Sequence, residues 1–146
     1  MKYAILGDIH ANLEALNTVL EDAKKERCTH FVGIGDVVGY NSNPIQCLDI
    51  VRDLKCPVVR GNHDHYCSHD DDLTGFHPAA AEVINWTRKQ LRPDQRDYLR
   101  SLPYTQRVET FTIVHSTLDG PEKWAYVMDR YDAEANFNYQ TTSVCF

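Results

Sequence analysis

Four short apolar runs in this chain each lead into polar side chains, and this repetition constrains the fold more than any other feature. The runs cover residues 3–6, 31–34, 57–59 and 111–114. The first leads to Asp8 and His10, the second to Asp36, the third to Asn62 and the fourth to His115. Buried strands that end in carboxylates, amides and imidazoles bring oxygen and nitrogen ligands to one edge of a sheet. Four such strand ends suggest a two-metal hydrolase.

Helical patterns separate the first three runs. Apolar residues recur at helical spacing after the first run, which predicts a helix over residues 12–26. Asn43 suits the N-cap of a second helix, and Pro44 suits its first position. Strand, loop and helix therefore alternate twice before a third strand near Val58. This alternation predicts a parallel sheet with right-handed crossovers, which binds ligands beyond the carboxyl ends of its strands.

The remaining patterns predict further helices and a second sheet within a single domain of residues 1–146. Residues 65–75 are polar and indicate a loop. Helices are expected over residues 78–91, 93–101 and 132–140, and strands over residues 105–109, 111–114 and 142–146. A chain of 146 residues is long enough to bury a hydrophobic core. The expected fold class is therefore mixed α/β.

Charge and cysteine content narrow the classes of partner and compartment. Fifteen basic and 21 acidic residues give a net charge of −6, which argues against binding nucleic acid through basic patches but leaves a small nucleotide open. No apolar stretch reaches the length of a membrane span. Five cysteines, an odd number without a C-x-x-C pair, indicate reduced thiols. A cytoplasmic protein is the expectation.

The types and spacing of the polar residues favour two divalent cations. Asp8 and His10 are separated by one residue, so both can face the same way from an extended strand end. Asp36 has two carboxylate oxygens with which to bridge two ions, whereas Asn62 and His115 add neutral ligands. Oxygen and nitrogen ligands without thiolates favour manganese, with iron, zinc or nickel as alternatives.

The balance of charge in such a site suits a phosphate substrate. Two divalent ions, opposed by Asp8, Asp36 and a bridging hydroxide, leave about one positive charge to attract a phosphate anion. That hydroxide would attack phosphorus in line. His63 should point away from the ion of Asn62 and assist the leaving oxygen. Asp64 is expected to orient the His63 ring, and a turn-capping role is its alternative.

These clusters together resemble the calcineurin-like metallophosphoesterase superfamily, and the resemblance extends along the whole chain. The motifs that carry it are Asp8-Ile9-His10, Gly35-Asp36-Val37-Val38-Gly39, Gly61-Asn62-His63-Asp64 and His115. The resemblance implies a four-layer α-β-β-α sandwich, in which two sheets pack face to face between helices. It also implies that His63 is the catalytic imidazole. The implied ligands are Asp8, His10 and Asp36 for the first metal and Asp36, Asn62 and His115 for the second.

Within the superfamily, the chain is most similar to small bacterial and archaeal phosphodiesterases. Tyr40 follows Gly39 where protein Ser/Thr phosphatases and symmetrical dinucleoside tetraphosphatases usually have an arginine. In the family, a Gly-His-x-His motif is expected to follow the strand predicted at residues 142–146, where this sequence stops. The resemblance therefore implies an incomplete second sheet and one ligand fewer for each ion.

Several residues near the predicted site are candidates for contacts with substrate. Tyr40 and Asn41 follow Asp36 closely and are expected to bind substrate. Arg60 is a candidate for phosphate binding, with a surface residue at a strand end as its alternative. Trp86 and Trp124 are predicted to be packing residues, although Trp124 is also a candidate for lining a pocket.

Two functions from different classes follow. The first is a phosphoesterase that acts on a small phosphodiester or phosphomonoester, including a nucleotide. The alternative is a shortened remnant that is catalytically weak or inactive and acts as a binding or interaction module. An unfinished strand at residues 142–146 leaves an unpaired edge, which predicts self-association into a homo-oligomer.

Overall fold

The computed structural model describes residues 1–146 and contains two small sheets with helices packed around them. The elements, in chain order, are β1 (Tyr3–Leu6), α1 (Leu13–Lys25), β2 (His30–Gly33), α2 (Pro44–Asp53), α3 (Asn62–Ser68), α4 (Pro78–Gln90), α5 (Pro93–Ser101), β3 (Thr105–Val108), β4 (Phe111–Val114), a 3-10 turn (Pro121–Lys123), α6 (Arg130–Phe137) and β5 (Val144–Cys145). None of the helices combines the length and the apolar character that crossing a membrane requires.

The first sheet pairs β1 with β2 in parallel, as the alternation of strands and helices predicts. Tyr3 lies opposite His30, and Leu6 lies opposite Gly33. The crossover between them is α1, which begins where the Asn12 side chain accepts a hydrogen bond from the Ala15 amide at 3.0 Å. Both strands therefore end at the same edge, where the polar clusters follow.

The predicted third strand is reduced to a single bridge between Gly33 and Val58. The amide of Gly33 donates to the Pro57 carbonyl at 2.9 Å, and the Val59 amide donates to the Gly33 carbonyl at 3.0 Å. Pro57 has no N–H to extend the ladder. The Arg60 amide donates instead to the Pro103 carbonyl at 2.8 Å, so the chain leaves the sheet there.

The second sheet has the strand order β3-β4-β5, with β3 and β4 antiparallel and β4 and β5 parallel. Phe111 and Ile113 face the first sheet, where they join a buried cluster with Val32 and Val59. Val114 points to the opposite face, since neighbouring strand residues alternate, and it lines a cleft with residues of α6 such as Phe137. Helices thus lie outside both sheets, and the predicted α/β class is confirmed.

The prediction of a loop over residues 65–75 is wrong at its start, because α3 continues to Ser68. The sequence of α3 has no apolar stripe, which is why its periodicity gives no helical signal. Its side chains Asp64, Cys67 and Ser68 are buried, and the helix packs between α4 and α5. Tertiary burial of small and polar side chains therefore stabilises this helix.

Truncation of Ile113 tests the packing between the two sheets. Ile113 has no exposed surface, so Ile113→Ala should lower the free energy of unfolding by about 2–4 kcal/mol through a residual cavity. Urea denaturation measures this loss. The matched control is Val19→Ala, because Val19 is 47% exposed on α1 and its truncation should cost less than about 0.5 kcal/mol. Equal stability of the two variants would contradict the sheet-on-sheet core.

Candidate metal centre

Two loops that follow β1 and β2 run side by side and bring their polar residues together. The amide of Asp8 donates to the Gly35 carbonyl at 3.2 Å, and the His10 amide donates to the Asp36 carbonyl at 2.9 Å. The extended geometry expected for Asp8 and His10 is wrong, since their φ angles are 50° and 45°. The loops still place the His10 Nε2 atom 3.6 Å from the Asp8 Oδ1 atom.

The carboxylate of Asp36 lies at the centre of the cluster. Its side chain is only 4% exposed, and its Oδ2 atom is 3.5 Å from the Nε2 atom of His10 and 3.4 Å from the Nε2 atom of His115. Its Oδ1 atom accepts a hydrogen bond from the His63 amide at 2.9 Å. One buried carboxylate therefore contacts groups from three separate segments of the chain.

Backbone carbonyls orient two of the imidazoles. The Nδ1 atom of His10 is 3.2 Å from the Val38 carbonyl oxygen, and the Nδ1 atom of His115 is 2.9 Å from the Ile34 carbonyl oxygen. Each contact leaves Nε2 directed at Asp36, as in metal centres where the second ring nitrogen donates to a carbonyl. The Oδ1 atom of Asn62 lies 3.1 Å from the Nε2 atom of His115, so the amide oxygen joins the same group.

The arrangement provides two neighbouring sets of donor atoms. One set is His10, Asp36 and His63, and the other is Asp8, Asp36 and His115; within each set the donor atoms lie within 4.8 Å of one another. Asp36 belongs to both sets. His63 lies with His10, whereas Asn62 contacts His115. Oxygen and imidazole donors in this arrangement fit divalent transition-metal ions.

The electrostatics of the cluster reflect mutual stabilisation of opposite charges. Burial disfavours the Asp36 carboxylate, but His115, His63 and His10 outweigh this effect and lower its pKa. Burial also disfavours the charged form of His115, and contact with Asp36 reverses the balance and raises the pKa of His115 to about 9. Burial lowers the pKa of His63. The buried carboxylate is thus kept in its charged form by three imidazoles, and the charged form is the one that binds a cation.

Close backbone approach to the cluster requires glycine at two positions. A Cβ atom on Gly61 would lie 2.4 Å from the Asp36 amide nitrogen, and one on Gly39 would lie 2.5 Å from the His63 Nδ1 atom. Gly39 also has a φ of 94°, a backbone angle that residues with a side chain rarely adopt. These glycines let the loop of Asp36 and the start of α3 meet.

Asp64 does not orient the His63 ring, which corrects the sequence-based expectation. Its Oδ1 atom accepts the Val37 amide at 2.9 Å and the Val38 amide at 3.2 Å, and its Oδ2 atom accepts the Gly61 amide at 3.1 Å. Burial and the nearby Asp36 carboxylate raise the pKa of Asp64 to about 7, against the effect of these amides. Asp64 therefore fixes the two loops that carry the ligands, which is closer to the capping alternative.

The guanidinium of Arg60 is held by backbone carbonyls and the residue is buried, so the alternative of a surface residue is wrong. Arg60 is 8% exposed, and its guanidinium donates to the carbonyls of Arg100 and Leu102, the latter at 2.8 Å. Its charge also lies 4.9 Å from the ring centroid of Tyr104. A side chain held in this way joins the end of the third apolar run to the α5–β3 connection.

Tyr40 and Asn41, which are predicted to bind substrate, lie beside the cluster. The Tyr40 ring centroid is 4.8 Å from that of His10 and 4.4 Å from that of His63, and the residue is 54% exposed. The Asn41 side chain donates to the His10 carbonyl at 2.9 Å, so Asn41 holds the ligand loop. Tyr40 is therefore the exposed aromatic neighbour of two imidazoles.

Trp124 lies near the cluster, beside His115. Its ring centroid lies 6.4 Å from that of His115 and 5.7 Å from that of His65. Its position shortly after His115 in the chain was the only signal for this placement.

A mixed α/β scaffold with oxygen and imidazole donors beyond its strand ends is typical of metal-dependent hydrolases. The chain belongs to the calcineurin-like phosphoesterase family, whose model matches residues 1–138. This match confirms the resemblance that the strand-end motifs predict.

Similar proteins extend beyond the length of this chain. An uncharacterized protein of Methanocaldococcus jannaschii is 36% identical over 140 residues, which are 93% of this chain and 57% of that protein. The crystal structure of a metallophosphoesterase from Sphaerobacter thermophilus is 37% identical, with a TM-score of 0.87 over 100% of this chain and 59% of that one. A hypothetical protein from Pyrococcus horikoshii has the same fold at 21% identity, with a TM-score of 0.77 over 93% and 64% of the two chains.

Replacement of Asp64 tests its structural role. Asp64→Asn should destabilise the chain by about 3 kcal/mol, because the new amide group would face buried N–H donors that now meet a carboxylate oxygen. Thermal and urea unfolding measure the loss. Asp97→Asn is the control, since the Asp97 side chain is 73% exposed and should change stability little. Wild-type stability in Asp64→Asn would contradict the structural role.

Proposed function

We propose that this chain is a metal-dependent phosphoesterase that hydrolyses a phosphodiester or phosphomonoester of modest size. The observation that supports this most directly is the sharing of the buried Asp36 carboxylate between two sets of donor atoms. Membership of the calcineurin-like phosphoesterase family supports the class of reaction. A cytoplasmic location belongs to the same proposal and is supported by the cysteine content of the sequence.

The proposed ligands divide between two ions. His10 and Asp36, with the Asp8 Oδ1 atom 3.6 Å from the His10 Nε2 atom, would hold one cation. Asp36 and His115, with the Asn62 Oδ1 atom 3.1 Å from the His115 Nε2 atom, would hold the other, and the donor atom of Asp8 lies within 4.8 Å of this second pair as well. Manganese is the proposed metal, with iron, zinc and nickel as alternatives, because all ligands are oxygen or imidazole donors. When bound, such ions supply Lewis-acid activation of water and of the phosphoryl group.

His63 is the proposed donor to the leaving oxygen. Its ring is 5% exposed, and its Nδ1 atom is buried against Gly39 without a hydrogen-bond partner. The Nε2 atom is therefore the ring nitrogen that remains for a substrate. The hydrogen bond from the His63 amide to the Asp36 carboxylate fixes the position of His63 in the first turn of α3. The rings of His10 and Tyr40 limit rotation of the His63 imidazole. A restrained imidazole of this kind suits transfer of a hydrogen bond or proton.

Hydrolysis of p-nitrophenyl phosphate and of its bis-ester, each with added Mn²⁺, tests the proposal. Asp36→Asn and His63→Ala should each lower kcat/KM by a factor of about 100 or more, because they remove the shared ligand and the proposed acid. His30→Ala is the matched control, since His30 is exposed at the start of β2, at the far end from Asp36. Turnover that needs no metal and survives both substitutions would contradict the mechanism.

Metal content distinguishes this enzyme from the alternative of a weak or inactive binding module. Elemental analysis after dialysis against Mn²⁺ should find about two ions per chain for the enzyme. One weakly held ion or none would favour the binding module. Asp36→Asn should lower the occupancy of both positions, since Asp36 belongs to both sets of donors.

A second proposal is that the chain self-associates. Large apolar side chains are exposed in α6 and in the segment that precedes it; these are Tyr126, Val127, Met128, Tyr131 and Phe137. Exposed apolar side chains grouped in this way mark surfaces that bind other proteins. Self-association through this surface is compatible with either function.

Light scattering over a range of concentrations tests self-association. The average mass should rise with concentration for the wild type, and the double substitution Tyr126→Ser with Met128→Ser should reduce this rise, because these two side chains are 78% and 80% exposed. Val19→Ser is the control on a different surface, where the side chain is 47% exposed. A monomeric mass at all concentrations would contradict the proposal.

A further inference from the structure

A small cleft adjoins the candidate metal centre on the side of Tyr40. Its volume is about 280 Å³, and it is lined by Tyr40, Asn41, Ser42, Glu82, Val83 and Trp86. Typical ligand pockets range from about 300 to 1,000 Å³, so this cleft has room for a single ring system. The Tyr40 ring forms part of its wall and also contacts the imidazoles of His10 and His63.

The helix α4 supplies the other wall. Trp86 lies four residues after Glu82 and three after Val83, so all three lie on one face of the helix. Trp86 is 40% exposed, whereas its neighbours Ile84 and Thr87 are fully buried in the core. Trp86 is thus not the packing residue that the sequence suggests, because its ring presents surface to the cleft.

The chemistry of the lining selects the class of ligand. Aromatic rings at Tyr40 and Trp86 favour stacking with a planar group. Glu82 is the only ionisable group of the wall apart from the Tyr40 phenol, and its carboxylate repels a phosphate. Asn41 and Ser42 offer polar groups at the edge, of which the Asn41 amide already donates to His10. A neutral ring with hydrogen-bonding edges fits these conditions better than a second phosphate does.

We propose that the cleft between Tyr40 and Trp86 binds a planar, nucleobase-sized substituent of the phosphate ester. This assignment of the substituent rests on the proposed phosphoesterase function. Because Tyr40 contacts both imidazoles, a ring stacked on its cleft side lies next to the centre, and the attached phosphate can reach Asp36 and its partners. Trp86 is then a specificity-determining residue that contacts neither set of metal-binding donors.

Adenosine binding in the absence of metal tests the cleft independently of catalysis. In a Trp124→Phe chain, Trp86 is the sole tryptophan, and adenosine should quench its fluorescence saturably. Ribose alone should have no effect. Tyr40→Ala should weaken adenosine binding about tenfold, as expected for the loss of one stacking ring. The absence of saturable quenching, or the same affinity in Tyr40→Ala, would overturn the proposal.

A comparison of substrates connects the cleft to the reaction. Trp86→Ala should lower kcat/KM for adenosine 5′-monophosphate about tenfold and leave that for methyl phosphate unchanged, whereas Trp86→Phe should restore most of the loss. Tyr139→Ala is the aromatic control, since Tyr139 is 52% exposed and lies beyond the end of α6. Equal losses on both substrates would overturn the specificity role. Hydrolysis without adenosine binding would reject the cleft alone, and adenosine binding without hydrolysis would reject the proposed function alone.

Discussion

The candidate metal centre is arranged around one buried carboxylate. Asp36 is 3% exposed in the loop after β2, where an isolated charge would be strongly unfavourable. Its two oxygens are approached by His10, His115 and the His63 amide, which arrive from three other parts of the chain. These groups lie in the loops after β1, β2 and β4 and at the start of α3, so they are close together only in the folded chain. The centre therefore forms only when the fold does, and a bound cation would stabilise the folded state in turn.

A second buried carboxylate explains how the loops stay in position. Asp64 satisfies amides of Val37, Val38 and Gly61, so the loop after β2 and the start of α3 share one acceptor. Left-handed backbone at Asp8, His10 and Asp36 is costly for residues with a side chain. The surrounding hydrogen bonds hold these residues in conformations that an isolated peptide would rarely adopt. This strain sits where the ligands are, which is usual for functional sites.

Sequence patterns were sufficient for elements with strong periodicity and for the candidate metal-binding side chains that the fold brings together, but not for side-chain direction. The helices α1 and α4 follow from apolar spacing and from Asn12 or Pro78 at their starts. The helix α3 lacks that spacing and is stabilised by tertiary packing, so it could not be predicted. Arg60 illustrates the same limit, because its partners Arg100 and Leu102 are 40 and 42 residues away. No local pattern indicates such contacts.

Tyr40 shows how the scaffold can relate substrate choice to the centre without a further ligand. Its φ of 60° turns the chain sharply after Gly39 and brings its ring against His10 and His63. The same ring is half exposed, and its free surface forms the wall opposite Trp86. A group bound in the cleft would therefore restrict the motion of the Tyr40 ring, which packs on His63, the proposed acid. A His63 imidazole that is held in one orientation loses less conformational entropy in the transition state. A group bound in the cleft would therefore favour proton transfer from His63 to the leaving oxygen.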